Sequence, residues 1–136
     1  MEDEVVFVDT SMFYALINAQ DEFHTQAKDI WKRLQNQKAI LVTSNYILDE
    51  TFTRIRSKRG VEVLNEFRKN LAGAYKAKII RVIIQDEARA WDWLLLDWSN
   101  LSFTDCVSFA LMKRVGIKKA ASFDNHFRRA GFELVL

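Results

Sequence analysis

The sequence has no proline in 136 residues, where average usage predicts roughly 5%. Its helices therefore run without the strongest breaker, but the absence names no chemistry. There are four glycines, and neither G-x-G-x-x-G nor G-x-x-x-x-G-K-[ST] occurs. The glycine-rich phosphate loops of nucleotide-binding proteins are thereby excluded. A single cysteine, Cys106, cannot form an internal disulfide, so a reducing cytoplasm is the expected location. The longest uninterrupted apolar run, Met12 to Ile17, is six residues, far short of the ~20 that span a bilayer, so no membrane association is expected. The opening Met1-Glu2-Asp3-Glu4 is acidic, unlike a secretory signal. An excess of one charge is also missing: 20 Lys and Arg oppose 18 Asp and Glu. The net charge of +2 is too mild to identify a partner.

What remains is ordinary globular material, 49% hydrophobic and 28% charged, which rules out disorder. The length suits one domain, expected to span 1–136, with no repeat or linker. Val5–Val8 is an apolar run of strand length ended by Asp9. Met12–Ile17 predicts a buried helix, and Phe23, Ala27, Ile30, Trp31 and Leu34 predict an amphipathic one over about 23–37. Ala39–Val42 is a second strand, and Thr43-Ser44-Asn45 offers caps for a helix that Gly60 stops. Val61–Leu71 is helical, Ile79–Ile84 a strand, and 86–96 a helix with Trp91, Leu94, Leu95 and Trp98 on its apolar side. A helix from Ser102 to about Val115 precedes strands at 119–122 and 132–136. Alternating strands and helices predict an α/β domain, with a central, mainly parallel sheet flanked by helices on both faces.

Ligands of such folds bind beyond the carboxyl ends of the strands. Asp9 directly follows the first strand, and Asp124 follows the strand at 119–122. Taken singly, each is equally a turn or cap residue. Asp105 stands out because seven of the ten residues at 103–112 are apolar, so its helix is buried nearly all round. A carboxylate there is costly unless compensated. Ser102-x-x-Asp105 can form a capping box, and a bound cation would also serve; the two are compatible. Glu50 lies at the border of an apolar stripe, where the plainer reading is an i,i+4 pair with Arg54. Adjacent Asp49 points about 100° away, into solvent. Four acids from four segments can hold a hard cation such as Mg²⁺ or Mn²⁺. Carboxylates ~5 Å apart repel by roughly 3 kcal/mol per pair at an effective dielectric of 20, so such a cluster requires cations or protons.

Four stretches carry a family likeness: Val-Phe-Val-Asp9-Thr-Ser, Ser44-Asn-Tyr-Ile-Leu-Asp-Glu50-Thr, Leu-Ser-Phe-Thr-Asp105-Cys-Val-Ser-Phe-Ala-Leu-Met and Ala-Ser-Phe-Asp124-Asn-His-Phe. In order and across the whole chain, they resemble the PIN-domain ribonucleases, above all the VapC-type toxins and their stand-alone relatives. The resemblance implies a single PIN-like domain that hydrolyses RNA phosphodiesters with carboxylate-bound Mg²⁺ or Mn²⁺. Residue by residue, it makes Asp9, Glu50, Asp105 and Asp124 the catalytic metal ligands, with Ser11 and Thr104 as hydroxyls near the site. Asp124 or Asp9 becomes a candidate general base. The resemblance further implies a small antitoxin as partner and a homodimer. Asn125 and His126 stand where many relatives have a further acid, a departure that bears on a second metal.

Arg54, Arg56, Lys58 and Arg59 form a basic cluster beyond Glu50, read either as an RNA groove or as a solvated face. The later set of Lys113, Arg114, Lys118, Lys119, Arg128 and Arg129 reads as a solvated face. Trp31, Trp91 and Trp98 fall at core spacing. His24 reads as a capping or surface residue, His126 as a loop histidine or a residue near substrate, and Cys106 as a packed thiol. An aspartyl-phosphate phosphatase would need an acid where Ser11 stands. The competing functional reading is a PIN-like module that binds RNA or protein without cleaving.

Overall fold

The computed structural model describes residues 4–136; the acidic opening at 1–3 lies outside them. Among the described residues five strands form one parallel sheet: β1 (Val5–Val8), β2 (Ile40–Ser44), β3 (Lys78–Ile80), β4 (Lys119–Ala121) and β5 (Glu133–Leu134), in the order β3-β2-β1-β4-β5. Val6 pairs with Leu41 on one side and Lys119 on the other. Val6, Phe7 and Val8 are fully buried, as the central strand of a doubly covered sheet must be.

The connections are helical: α1 (Thr10–Ile17) and α2 (His24–Asn36), α3 (Asn45–Arg59) and α4 (Val61–Ala72), α5 (Ile84–Leu94) and α6 (Phe103–Val115), then α7 (His126–Arg129). The chain builds outward from β1 to β3, then returns to place β4 on the other flank of β1. Right-handed crossovers then put the helices of the two halves on opposite faces. Each face has its own aromatic cluster. Phe13 lies 5.5 Å from Phe67 and 6.1 Å from Trp31, centroid to centroid. Phe109 lies 5.1 Å from Phe127 and 5.6 Å from Trp93. Burying one such ring contributes about 1.5–3 kcal/mol.

Local signals explain most boundaries. Asp9 caps α1, which starts at Thr10, two residues before the apolar run. The Ser44 hydroxyl accepts from Ile47 N–H and caps α3. Gly116 takes the left-handed conformation that ends α6. Two expectations fail. The strand expected over 79–84 leaves the sheet after Ile80, because Asn45 Oδ1 takes Val82 N–H at 2.8 Å and Asp86 Oδ2 takes Ile83 N–H at 3.1 Å at the start of α5. Trp91 and Leu95 do not face the core: they are 52% and 79% exposed. The packed stripe of α5 is Asp86, Ala90, Trp93 and Leu94, spaced i, i+4, i+7, i+8. Arg114 on α6 makes this possible: its guanidinium forks onto Asp86 at 2.8 and 2.9 Å, neutralising an acid that is 1% exposed. Counting only apolar residues therefore picked the wrong stripe.

Candidate active site

Between β1 and β4 the winding of the sheet reverses, leaving a crevice at their carboxyl ends. Asp9 sits there, 4% exposed, its N–H extending the ladder to Ala121 O at 3.1 Å. Its Oδ2 accepts from the Ser11 and Ser122 hydroxyls, both at 2.9 Å, and from Ser11 N–H at 3.4 Å. The hydroxyls in turn accept from the next loop: Phe123 N–H donates to Ser11 Oγ at 3.0 Å, and Asp124 N–H to Ser122 Oγ at 2.9 Å. Two serine relays thus fasten the Asp124 loop over Asp9. Ser122 went unnoticed in the sequence, where only its i+2 spacing to Asp124 marks a serine turn.

Asp105 reaches the same crevice from the first turn of α6. Ser102 caps the helix and accepts from Asp105 N–H at 3.0 Å, while Asp105 Oδ2 accepts from Ser102 N–H at 3.3 Å. The expected capping box is therefore present, with Asp in the place of Glu. On the far side of Asp105 lie Asp124 and His126. His126 Nδ1 is 3.1 Å from Asp124 Oδ1 and 3.5 Å from Asp105 Oδ2. One donor atom from each of these three residues falls within 4.8 Å of the others.

The charges are crowded. Burial pushes the Asp9 carboxyl up to about 6, against the serine hydrogen bonds, with Glu50 and Asp124 adding repulsion. Burial likewise pushes Asp105 up to about 7, with further repulsion from Asp9, Asp124 and Glu50. All four predicted acids thus act on one another electrostatically, although neither Asp9 nor Glu50 is in the tight trio. Glu50 forms no ion pair among the described residues, and Arg54 lies over the Tyr14 ring instead, 4.4 Å from its centroid. Thr104 sits one residue before Asp105, its carbonyl accepting from Ser108 Oγ at 2.8 Å.

Two clefts flank Asp124 and Asn125. One, about 360 Å³, is lined by Arg54, Tyr14, Ser11 and the stacked rings of Phe23 and Phe123, 4.5 Å apart. The other, about 530 Å³, is lined by His126, Arg128, Arg129, Ser99 and Asp97. The basic cluster on α3 is divided: Arg54 lines the first cleft, Arg59 donates to Gln20 Oε1 at 3.2 Å, and Arg56 and Lys58 are exposed. Of the later basic set, Arg114 pairs with Asp86 and Lys119 with Glu4, while Arg128 and Arg129 line the second cleft rather than a plain solvated face. His24 Nδ1 lies 2.7 Å from Ala15 O in α1, a contact to the preceding helix rather than a cap or surface pair of its own, and Cys106 is fully buried.

The PIN domain family model matches residues 6–133. The chain belongs to the PIN-domain family. As a PIN domain it is 36% identical, over 132 residues, to the "23S rRNA-specific endonuclease VapC20" of Mycobacterium tuberculosis, covering 94% of this chain and 95% of that one. The crystal structure of that toxin, described as cleaving the sarcin-ricin loop, superposes with a TM-score of 0.79 over 93% of this chain and 95% of that one. VapBC2 of Rickettsia felis, bound to a promoter DNA fragment, gives a TM-score of 0.71 at 12% identity over 96% of both chains, a likeness of fold alone. The expected VapC-like PIN domain, α/β with a parallel sheet, is thus borne out.

Proposed function

We propose that this PIN domain is a divalent-metal-dependent ribonuclease that hydrolyses RNA phosphodiesters, and that Asp9, Glu50, Asp105 and Asp124 form its catalytic centre. The reading is carried by one observation: a crevice of mutually repelling carboxylates in a chain 36% identical to an rRNA endonuclease. The donor set fits Mg²⁺ or Mn²⁺, since carboxylates suit both ions. The buried His126 Nδ1, without a hydrogen-bond partner among the described residues, also fits a cation at its side. Asp105 and Asp124 would hold the ion, with Asp9 and Glu50 contributing charge directly or through water. When bound, such an ion lowers the pKa of a water and offsets charge on the phosphorane-like transition state.

The chain's own residues do the rest. The Ser11 and Ser122 relays hold Asp9 and the Asp124 loop in register, so the acids are set before substrate arrives. Asp124, with a side chain 34% exposed where Asp9 is buried, is the better placed of these two to take a proton from water. Arg54 offers a phosphate contact and the Phe23–Phe123 pair a face for an unstacked base. An RNA strand entering at Arg54 would cross Asp124 and leave past Arg128 and Arg129. The residues Ile84, Ala88, Trp91 and Leu95 form an exposed apolar stripe on α5, the kind of surface a partner chain covers. The proposal therefore extends to a cytoplasmic toxin that forms a homodimer and is held inactive by a small antitoxin.

The test uses purified protein, free of any antitoxin, on a total RNA pool, with new ends read by sequencing. Cleavage with Mg²⁺ or Mn²⁺, lost with EDTA and in Asp105→Asn, is the expected result. If the wild type and Asp105→Asn give the same ends with either metal, catalysis is refuted and a non-cleaving binding module takes its place.

A further inference from the structure

The ring of His126 is held in one orientation by groups outside the acid cluster. Its Nε2 lies 2.8 Å from the carbonyl oxygen of Ser99, an acceptor only, so Nε2 carries the proton. Trp98 lies against the ring, centroids 6.4 Å apart and planes within 20°, and is itself covered by the Arg129 guanidinium at 4.5 Å. In the neutral ring, Nδ1 is then a bare lone pair. It is buried, has no hydrogen-bond partner among the described residues, and lies 3.1 and 3.5 Å from carboxylate oxygens of Asp124 and Asp105. Three acceptors so close together repel unless a proton or a cation lies between them.

We propose that His126 Nδ1 is a nitrogen ligand of the ion held by Asp105 and Asp124, and that it makes the site prefer Mn²⁺ over Mg²⁺. The inference rests on the metal-dependent reading above. Adjacent ligands of an octahedral ion, each ~2.1 Å from it, lie about 3 Å apart, close to the separations found here. Metal-bound histidines characteristically donate their second ring N–H to a backbone carbonyl, as His126 does to Ser99. Imidazole suits transition ions, whereas Mg²⁺ takes oxygen donors almost exclusively. The position where many relatives carry a further acid is therefore filled by a ligand of different selectivity.

The experiment loads the full chain with Mn²⁺ and records electron spin echo modulation, alongside Mn²⁺ and Mg²⁺ titrations by calorimetry. The wild type should show ¹⁴N modulation from one imidazole. His126→Ala should lose it, bind Mn²⁺ roughly tenfold or more weakly, and bind Mg²⁺ within about threefold of the wild type. His126→Asn, which places an amide near the Nδ1 position, should keep Mg²⁺ binding, remain weaker than the wild type for Mn²⁺ and lack the imidazole modulation. Bound Mn²⁺ without nitrogen modulation, at an affinity unchanged in His126→Ala, overturns the proposal. Tighter Mn²⁺ binding in His126→Ala also overturns it, since the ring would then be a protonated cation competing with the metal. A wild type that binds neither ion refutes the metal-dependent reading itself, a failure distinct from the other two.

Discussion

Asp86 and Asp105 are nearly the same residue locally. Each stands in the first turn of a helix, each is buried, and each accepts from the N–H of the residue three before it, at 3.1 and 3.3 Å. Their surroundings are opposite. Asp86 faces a guanidinium that forks onto both its oxygens; Asp105 faces three further acids and a histidine nitrogen. The first is a closed ion pair that fastens α5 to α6. The second is an open charge that only an added proton or cation can balance. A buried carboxylate is therefore diagnostic only together with what confronts it.

The sharpest way to break this comparison is to remove one charge from each. Asp105→Asn should lower RNA cleavage by roughly 10²–10³-fold, the range for losing one transition-state charge stabiliser, while the fold persists. Asp86→Asn should leave that chemistry in place and instead destabilise the protein by about 2–3 kcal/mol, below the full cost of breaking a buried pair because Arg114 is 30% exposed. Urea unfolding and end-sequencing on the same two proteins separate the effects, and a reversal of roles would end the distinction.

A smaller effect lies in pH. Asp9 and Asp105 bind protons more tightly folded than unfolded, with carboxyls pushed up to about 6 and 7 from 3.8. Between about pH 4 and 7 the native state thus holds the more protons, and stability falls as pH rises. The metal-free protein should lose on the order of 4 kcal/mol between pH 5 and 8 through these groups. Millimolar Mn²⁺ should cancel the loss by binding only the native state, and Asp105→Asn should flatten the metal-free profile; thermal melts at several pH values check both. A flat wild-type profile would mean the acids are already compensated.

The smallest expected change is at Arg54. Arg54→Ala should weaken RNA binding by a few-fold and reduce its salt slope by about 1, as loss of one phosphate contact does. Arg56→Ala should do neither, since Arg56 lies about 160° around α3 from Arg54. Equal effects of the two substitutions, measured by binding across a salt series, would remove the proposed path along the first cleft.

Much of the molecule was legible before any tertiary contact was known. Asp9, Ser44 and Ser102 as caps, Gly60 and Gly116 as stops, and the apolar runs of β1 and β2 are set by hydrogen bonds and side-chain periods within a few residues. Asp105 was visible because an acid in so apolar a helix is expensive in any fold. The PIN-domain likeness extended that reading to four acids in order along the chain.

Other features depend on residues far apart in sequence. Pairing of Val8 with Ala121 brings Ser11 to Ser122 and so ties Asp124 over Asp9. Arg114 comes to Asp86 from 28 residues away, which decides the stripe of α5 that packs and leaves Trp91 and Leu95 outside. The Ser99 carbonyl, 27 residues before His126, selects the nitrogen that faces the acids. Caps and periods are short-range backbone events that the sequence determines by itself. The partner of a buried charge and the orientation of a ring are set by long-range strand pairing and helix packing, so only the tertiary structure could decide them.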